Sequence, residues 1–271
     1  MDRSDDPGAQ PVHALSTVRA IGARDAVCPK HGEYVATGRM LGSREVWTTC
    51  PACTAEREAA EQAERDRETA ASLARRREAA IGQACIPQRF RSLSFDSYAA
   101  ETPEQRRAVA RMRDFAKRFD EHRRRGSGIV LAGKPGTGKT HLVAAVLLEL
   151  VGGPAWVQYV TCMGLIRMVR DTWRRDSERS EKDVVRMLGE QIDLLVIDEV
   201  GVQYGTDSEQ NILFEILDRR YAELKPTLLV TNQDKDGFKS FIGERVADRL
   251  SQTHEWLVFD WPSYRKQARA A

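Results

Sequence analysis

Five short apolar runs punctuate the second half of the chain: Gly128–Leu131, Ala155–Thr161, Asp193–Ile197, Thr227–Thr231 and Trp256–Phe259. Four are rich in β-branched residues and bounded by turn signals or helical stretches, the pattern of strands buried on both faces. Helix-like segments lie between them, among them Thr140–Val151 and Ser208–Leu224. The alternation predicts an α/β fold, a sheet with helices on both faces. Ahead of it, residues 104–123 read as a basic amphipathic helix. Residues 55–80 are dominated by Ala, Glu and Arg, with no Gly or Pro. That stretch has high helix propensity and pairs such as Glu61–Arg65 at helical spacing. It has few large apolar residues, so an exposed helix or helical linker is expected. The chain divides on this reading into 1–25, expected to be flexible, a Cys-rich module over 26–54, a charged helical linker over 55–85, and an α/β domain over 86–271.

Composition adds limits. The 271 residues are 41% apolar, enough for a sizeable core, and 42 basic residues nearly balance 40 acidic ones. Bulk charge therefore says nothing about a nucleic-acid partner, which must be sought in local clusters. No apolar run approaches the roughly 20 residues of a membrane span. The polar start, Met1-Asp2-Arg3-Ser4, has no apolar core behind it. A cytoplasmic, reducing location with no membrane partner is expected, and the five unevenly spread cysteines suit no disulfide framework.

The chemistry concentrates after the first run. Gly133-Lys134-Pro135-Gly136-Thr137-Gly138-Lys139-Thr140 matches the phosphate-cradling pattern G-x-x-x-x-G-K-[ST], with a strand before it and a helix, opening at His141, after it. Glycines let backbone N–H groups curl around phosphate oxygens, and a helix N-terminus favours the anion. Lys139 supplies charge to the outer phosphates of ATP, and Thr140 a hydroxyl for Mg²⁺. Leu194-Leu195-Val196-Ile197-Asp198-Glu199 is an apolar strand ending in two carboxylates. Asp198 is placed to hold Mg²⁺ and Glu199 to polarise a water. Asn232, after the next run, either orients that water or caps the following helix. Arg245 and Arg249 lie four apart on one helix face, and spacing alone reads as an exposed face with intrahelical pairs.

Two further clusters stand outside this site. Cys28-Pro29-Lys30-His31 and Cys50-Pro51-Ala52-Cys53 are two close ligand pairs, the spacing of a tetrahedral Zn²⁺ site in a small ribbon. His31–Tyr34 and Glu45–Thr48 are its candidate strands, and so small a module would depend on the metal to fold. Arg106, Arg107, Arg111, Arg113, Lys117, Arg118 and Arg123–Arg125 form a basic cluster that either tracks phosphates or is a solvated helix face. Trp173-Arg174-Arg175 is a weaker candidate for stacking on a base.

Taken together, residues 86–265 resemble the AAA+ domain of DnaC-type helicase loaders. The resemblance rests on Gly133–Thr140 with His141-Leu142, and on Leu194–Glu199 followed by Gly201-Val202-Gln203. Asp218-Arg219-Arg220, Thr231-Asn232, Gly243–Leu250 and Trp261-Pro262-Ser263-Tyr264-Arg265 follow in the family's order. It implies a P-loop AAA+ ATPase with a five-stranded parallel sheet and slow Mg²⁺-dependent hydrolysis completed across subunit interfaces. Arg249 then resembles an arginine finger, Arg245 is its neighbouring candidate, and Arg265 resembles a second sensor arginine acting within its own subunit. The implied partners are a hexameric replicative helicase of the DnaB type, single-stranded DNA during replication initiation, and further copies of the chain. ATP would act as the switch. IstB-type transposition helpers share the phosphate loop and the Ile86-Pro87-x-Arg89-Phe90 opening, so ATP-dependent action on DNA beside a transposase is the alternative. The zinc-ribbon-like module departs from the best-known loaders.

Overall fold

Period-two alternation within the apolar runs sets the architecture. The structure, a computed structural model, describes residues 19–201 and 206–264. The chain divides into two compact units, Met1–Leu73 and Ala74–Ala271.

The second unit holds a five-stranded parallel sheet in the order β5-β6-β7-β4-β8. Its strands are β4 (Gly128–Gly133), β5 (Val157–Thr161), β6 (Leu194–Val200), β7 (Thr227–Thr231) and β8 (His254–Phe259). Successive strand residues point to opposite faces. Ile129, Leu131, Val196, Leu228 and Val230 therefore join one core cluster, with Met112, Phe115, Leu142 and Val146. Val130, Leu195, Ile197 and Leu229 join the other, with Ile212, Ile216 and Leu250. Both faces are covered, as a parallel sheet requires.

The helices of this unit are α2 (Pro103–Lys117), α3 (Phe119–Arg125), α4 (Lys139–Leu150), α5 (Cys162–Asp171), α6 (Glu181–Arg186), α7 (Asp207–Ala222), α8 (Lys235–Ile242) and α9 (Glu244–Thr253). Helix α4 is apolar almost all round, and Leu142–Leu148 are buried, as expected for a helix inside the core. Capping boxes at Thr102/Gln105 and Thr206/Glu209 start α2 and α7. The single helix expected over 104–123 is two, because Arg118 leaves helical geometry (φ −104°, ψ 27°). None of the described helices is long and apolar enough to cross a membrane.

Arg220 of α7 is fully buried. It donates to the carbonyls of Leu188 (2.6 Å), Ile192 (3.0 Å) and Pro226 (2.6 Å) and to Thr227 Oγ1 (2.8 Å). Its planar fork thus pins the turn before β6 to the start of β7.

The first unit carries an antiparallel sheet of β1 (Arg19–Cys28), β2 (Gly32–Leu41) and β3 (Arg44–Trp47). The expected strands at 31–34 and 45–48 fall on β2 and β3. Residues 19–25, expected to be flexible, instead pair with β2, for example Asp25 with Val35. Backbone pairing there compensates for weak side-chain patterning. Helix α1 (Pro51–Gln83) is 33 residues long, with only Ile81 buried. It begins four residues earlier than the linker expected at 55, and the boundary between the units falls inside it.

Burial, with the Arg220 guanidinium beside it, pushes the His254 imidazole down to about 4. Its unfolded value is about 6.5, so the neutral form must be kept on folding. The stability this residue contributes is complete above about pH 6.5 and is lost as pH falls towards 4, by on the order of 2 kcal/mol. Urea midpoints at pH 7.5 and pH 5 are expected to differ less for His254→Gln than for the unaltered chain. Equal differences would contradict this.

Candidate functional site

The loop after β4 owes its shape to backbone that only glycine tolerates easily. Gly136 (φ 80°) and Gly138 (φ 88°) lie in the left-handed region. A Cβ on Gly136 would run into Ser263, and one on Gly138 into the Tyr98 ring. The loop is also clamped from outside. Tyr98 Oη (2.8 Å) and Trp261 Nε1 (3.0 Å) both donate to the Thr137 carbonyl, and the Tyr264 amide donates to the Gly136 carbonyl at 3.0 Å. Thr137 Oγ1 donates to the Lys134 carbonyl at 2.8 Å, while Lys134 Nζ pairs with Asp260 at 2.6 Å. His141 bonds through Nε2 to the Ser94 carbonyl (2.8 Å) and packs edge-on against Tyr98.

Lys139 is buried, and its Nζ donates to the carbonyls of Gly133 (2.6 Å) and Lys134 (2.8 Å). Thr140 Oγ1 donates to Asp198 Oδ2 at 2.9 Å, joining the loop to the end of β6. Asp198 is buried. Its Oδ2 also accepts from Tyr159 Oη at 2.8 Å, and its Oδ1 from the Glu199 amide at 2.7 Å. The β6–β7 register shifts between Ile197 and Val200, and Glu199 has φ 60°. This is a bulge, a device that re-aims a side chain at a strand end. For a non-glycine residue the conformation costs on the order of 1 kcal/mol. The sequence places both carboxylates at the end of this strand but carries no sign of the bulge.

These groups open onto one cavity of about 440 Å³. Pro135, Gly136, Gly138, Lys139, Thr140, His141, Asp198, Glu199 and Asn232 line it, together with Phe90, Leu93, Tyr98 and Tyr264. Asn232 does not cap the next helix. That position belongs to Asp234, whose side chain accepts from the Gly237 amide. Thr231 is committed elsewhere, donating to the Val200 carbonyl at 2.7 Å. The apolar and aromatic side of the cavity escaped sequence reasoning. Only the Ile86–Phe90 opening hinted at it.

Arg245 and Arg249 are not among the lining residues. Arg249 pairs with Asp218 and lies over the Tyr221 ring, and Arg245 lies over Phe214. Arg265 and the Val202-Gln203 turn lie outside the described residues. The basic cluster of α2 and α3 is largely paired with acids: Arg107 with Glu104, Arg111 with Asp114 and Glu255, Arg113 with Asp96, Arg118 with Asp114. Trp173 Nε1 donates to Glu181 at 2.7 Å.

In the first unit, β1 ends at Cys28, the turn to β2 carries His31, and Cys50 and Cys53 flank the start of α1. The four ligand atoms lie within 4.8 Å of one another. His31 Nδ1 is 3.8 Å from Cys28 Sγ, 3.7 Å from Cys50 Sγ and 3.3 Å from Cys53 Sγ. Cys28 and Cys53 sulfurs are 3.5 Å apart, too far for a disulfide. A zinc tetrahedron has S···S edges of about 3.8 Å and S···N edges of about 3.6 Å, so the donor set fits Zn²⁺. The backbone amides of Lys30 and His31 hold the Cys28 thiol down to about 6. Glu56 accepts from His31 Nε2 at 3.1 Å, turning Nδ1 towards the thiols, as the outer partner of a ligating histidine does.

The family model described as IstB-like ATP binding protein matches residues 58–271, beginning after Cys53. The replicative helicase loader DnaC of Escherichia coli (strain K12) is 36% identical over 175 residues, covering 64% of this chain and 69% of that protein. DnaC of Buchnera aphidicola subsp. Acyrthosiphon pisum is 33% identical over 190 residues, covering 70% and 76%. A crystal structure of the DnaC helicase loader superposes with a TM-score of 0.57 at 26% identity, covering 64% of this chain and 99% of that one.

Protein purified without chelator is expected to carry about one zinc per chain, measured by plasma mass spectrometry. Cys50→Ser with Cys53→Ser should bring it near zero. Zinc-free protein at the outset would remove the metal centre.

Proposed function

This chain belongs to the family of IstB-like ATP binding proteins, and from that premise we propose that it loads a replicative DNA helicase onto single-stranded DNA, with ATP as the switch. The observation that carries the reading is the junction of Thr140 and Asp198 in the lining of the cavity, in a chain 36% identical over 175 residues to a DnaC loader. The residue roles follow from the chemistry. Backbone amides of Gly133–Thr140 cradle the phosphates, and Lys139 neutralises the outer ones. Thr140 and Asp198 hold Mg²⁺, which supplies charge neutralisation to the phosphates when bound. Glu199, re-aimed by the bulge, polarises the attacking water, and Asn232 orients it. Phe90, Leu93 and Tyr98 offer an apolar wall for the base.

Lys139 and Arg89 line the cavity. Arg249, on a helix outside it, is offered to the nucleotide of a neighbouring copy, and Arg245 stands beside it. Arg265 acts on the nucleotide of its own subunit. Hydrolysis is slow and completed only on assembly. Zn²⁺ at Cys28, His31, Cys50 and Cys53 folds a module for partner binding. A second reading, an IstB-like helper acting on DNA with a transposase, starts from the same family match.

Capture assays separate the two. The tagged chain is expected to retain the replicative helicase of its host, with ATP changing the amount retained and Lys139→Ala abolishing that change. Retention of a neighbouring transposase and none of the helicase would overturn the loader reading.

A further inference from the structure

We infer that Tyr159 is a positioning residue for the divalent cation of the ATP site, its hydroxyl setting the orientation of the Asp198 carboxylate. The inference rests on the reading that Thr140 and Asp198 hold Mg²⁺. Tyr159 stands on β5 opposite Val196 of β6, two residues before Asp198 and on the same face of the sheet. Side chains on strands lean along the strand direction, so the phenol reaches the carboxylate beyond its direct neighbour.

Tyr159 is fixed through its backbone and through a neighbouring ring. Tyr159 is buried, its amide donates to the Ala84 carbonyl at 2.8 Å, and Phe90 packs at 6.5 Å between ring centroids. A tyrosine phenol carries its proton at neutral pH and can only donate to a carboxylate.

The consequence is a count of lone pairs. A carboxylate offers about four acceptor directions. On Asp198 three are filled: Oδ2 by Tyr159 and Thr140, Oδ1 by the Glu199 amide. About one direction remains, and the three donors fix where it points. A hydroxyl that ligates a metal keeps its proton, so Thr140 can hold Mg²⁺ while still donating to Asp198. Tyr159 is then the one donor from outside the loop and strand that tells the carboxylate which way to face. Without it the carboxylate keeps only the Thr140 and Glu199 donors and is held less firmly, or takes up a water in place of the phenol. Outer partners of metal ligands typically account for about 10–100-fold in metal affinity. Phe at this position keeps the ring and removes only the donor.

The test is equilibrium binding of a fluorescent ATP analogue to the full chain, titrated with Mg²⁺. For Tyr159→Phe, affinity in EDTA is expected to match the unaltered chain, while the Mg²⁺ concentration at half-effect rises roughly tenfold. An unchanged Mg²⁺ requirement with a lowered melting temperature would make Tyr159 structural and overturn the inference. Loss of folding, or of binding in EDTA, would do the same. Asp198→Asn separates the two levels of the argument. If the unaltered chain and Asp198→Asn respond alike to Mg²⁺, the cation site itself fails, and the inference with it. If only Asp198→Asn loses the response, the site stands and Tyr159 has no part in it.

Discussion

A buried carboxylate needs partners or it is not worth burying, and Asp198 shows how far that requirement reaches. Desolvating an ionised group costs several kcal/mol unless hydrogen bonds replace the lost water. Asp198 collects three donors from three places: the first turn of α4, the middle of β5, and its own successor in the chain. Each donor fixes something else. Thr140 ties the phosphate loop to β6. Tyr159 ties β5 to the site. The Glu199 amide is part of the bulge that turns Glu199 towards the cavity. The sheet order β5-β6-β7-β4 places β6 and β7 between the two other sources, so four of the five strands must be in place before the carboxylate is satisfied. Fold and site are therefore one problem at this residue.

A second constraint acts on the loop from the far end of the described chain. Trp261 and Tyr264 follow β8, yet they bond to Thr137 and Gly136. Tyr98, ahead of α2, bonds to the same Thr137 carbonyl. Three aromatic residues far apart in sequence thus hold a glycine-rich turn that has little stiffness of its own. The glycines supply the curvature, and the aromatics remove the freedom that glycine would otherwise keep.

What was legible in the sequence follows from how local each signal is. The phosphate loop, the acidic end of β6 and the two ligand pairs of the first unit are short and contiguous, and their residues stand where spacing placed them. Four of the five strands could be read because burial on both faces leaves nearly continuous apolar runs, whereas the edge strand β8 is only partly buried. The bulge at Glu199 could not be read, because it is a register shift and leaves no compositional trace. The basic cluster of α2 and α3 looked available for phosphate. Its partners Glu255 and Asp96 come from other parts of the chain, and only the fold brings them near. The same holds for Arg249, whose spacing gave no hint of Asp218. Residues 19–25 lacked a side-chain pattern because β1 is held by backbone pairing.

The cavity gathers Lys139, Thr140, Asp198, Glu199 and Asn232, and Arg249 stands outside it on α9. On the proposed reading each chain carries most of an ATPase site, and Arg249 of a neighbouring copy supplies further charge. Mixing two inactive variants measures this directly. Glu199→Gln keeps the arginine and loses the water-polarising carboxylate, and Arg249→Ala does the reverse. Each alone is expected to be inactive, and an equal mixture of co-assembled chains should regain a substantial fraction of ATP hydrolysis. A mixture that co-assembles and stays as inactive as its components would contradict the account.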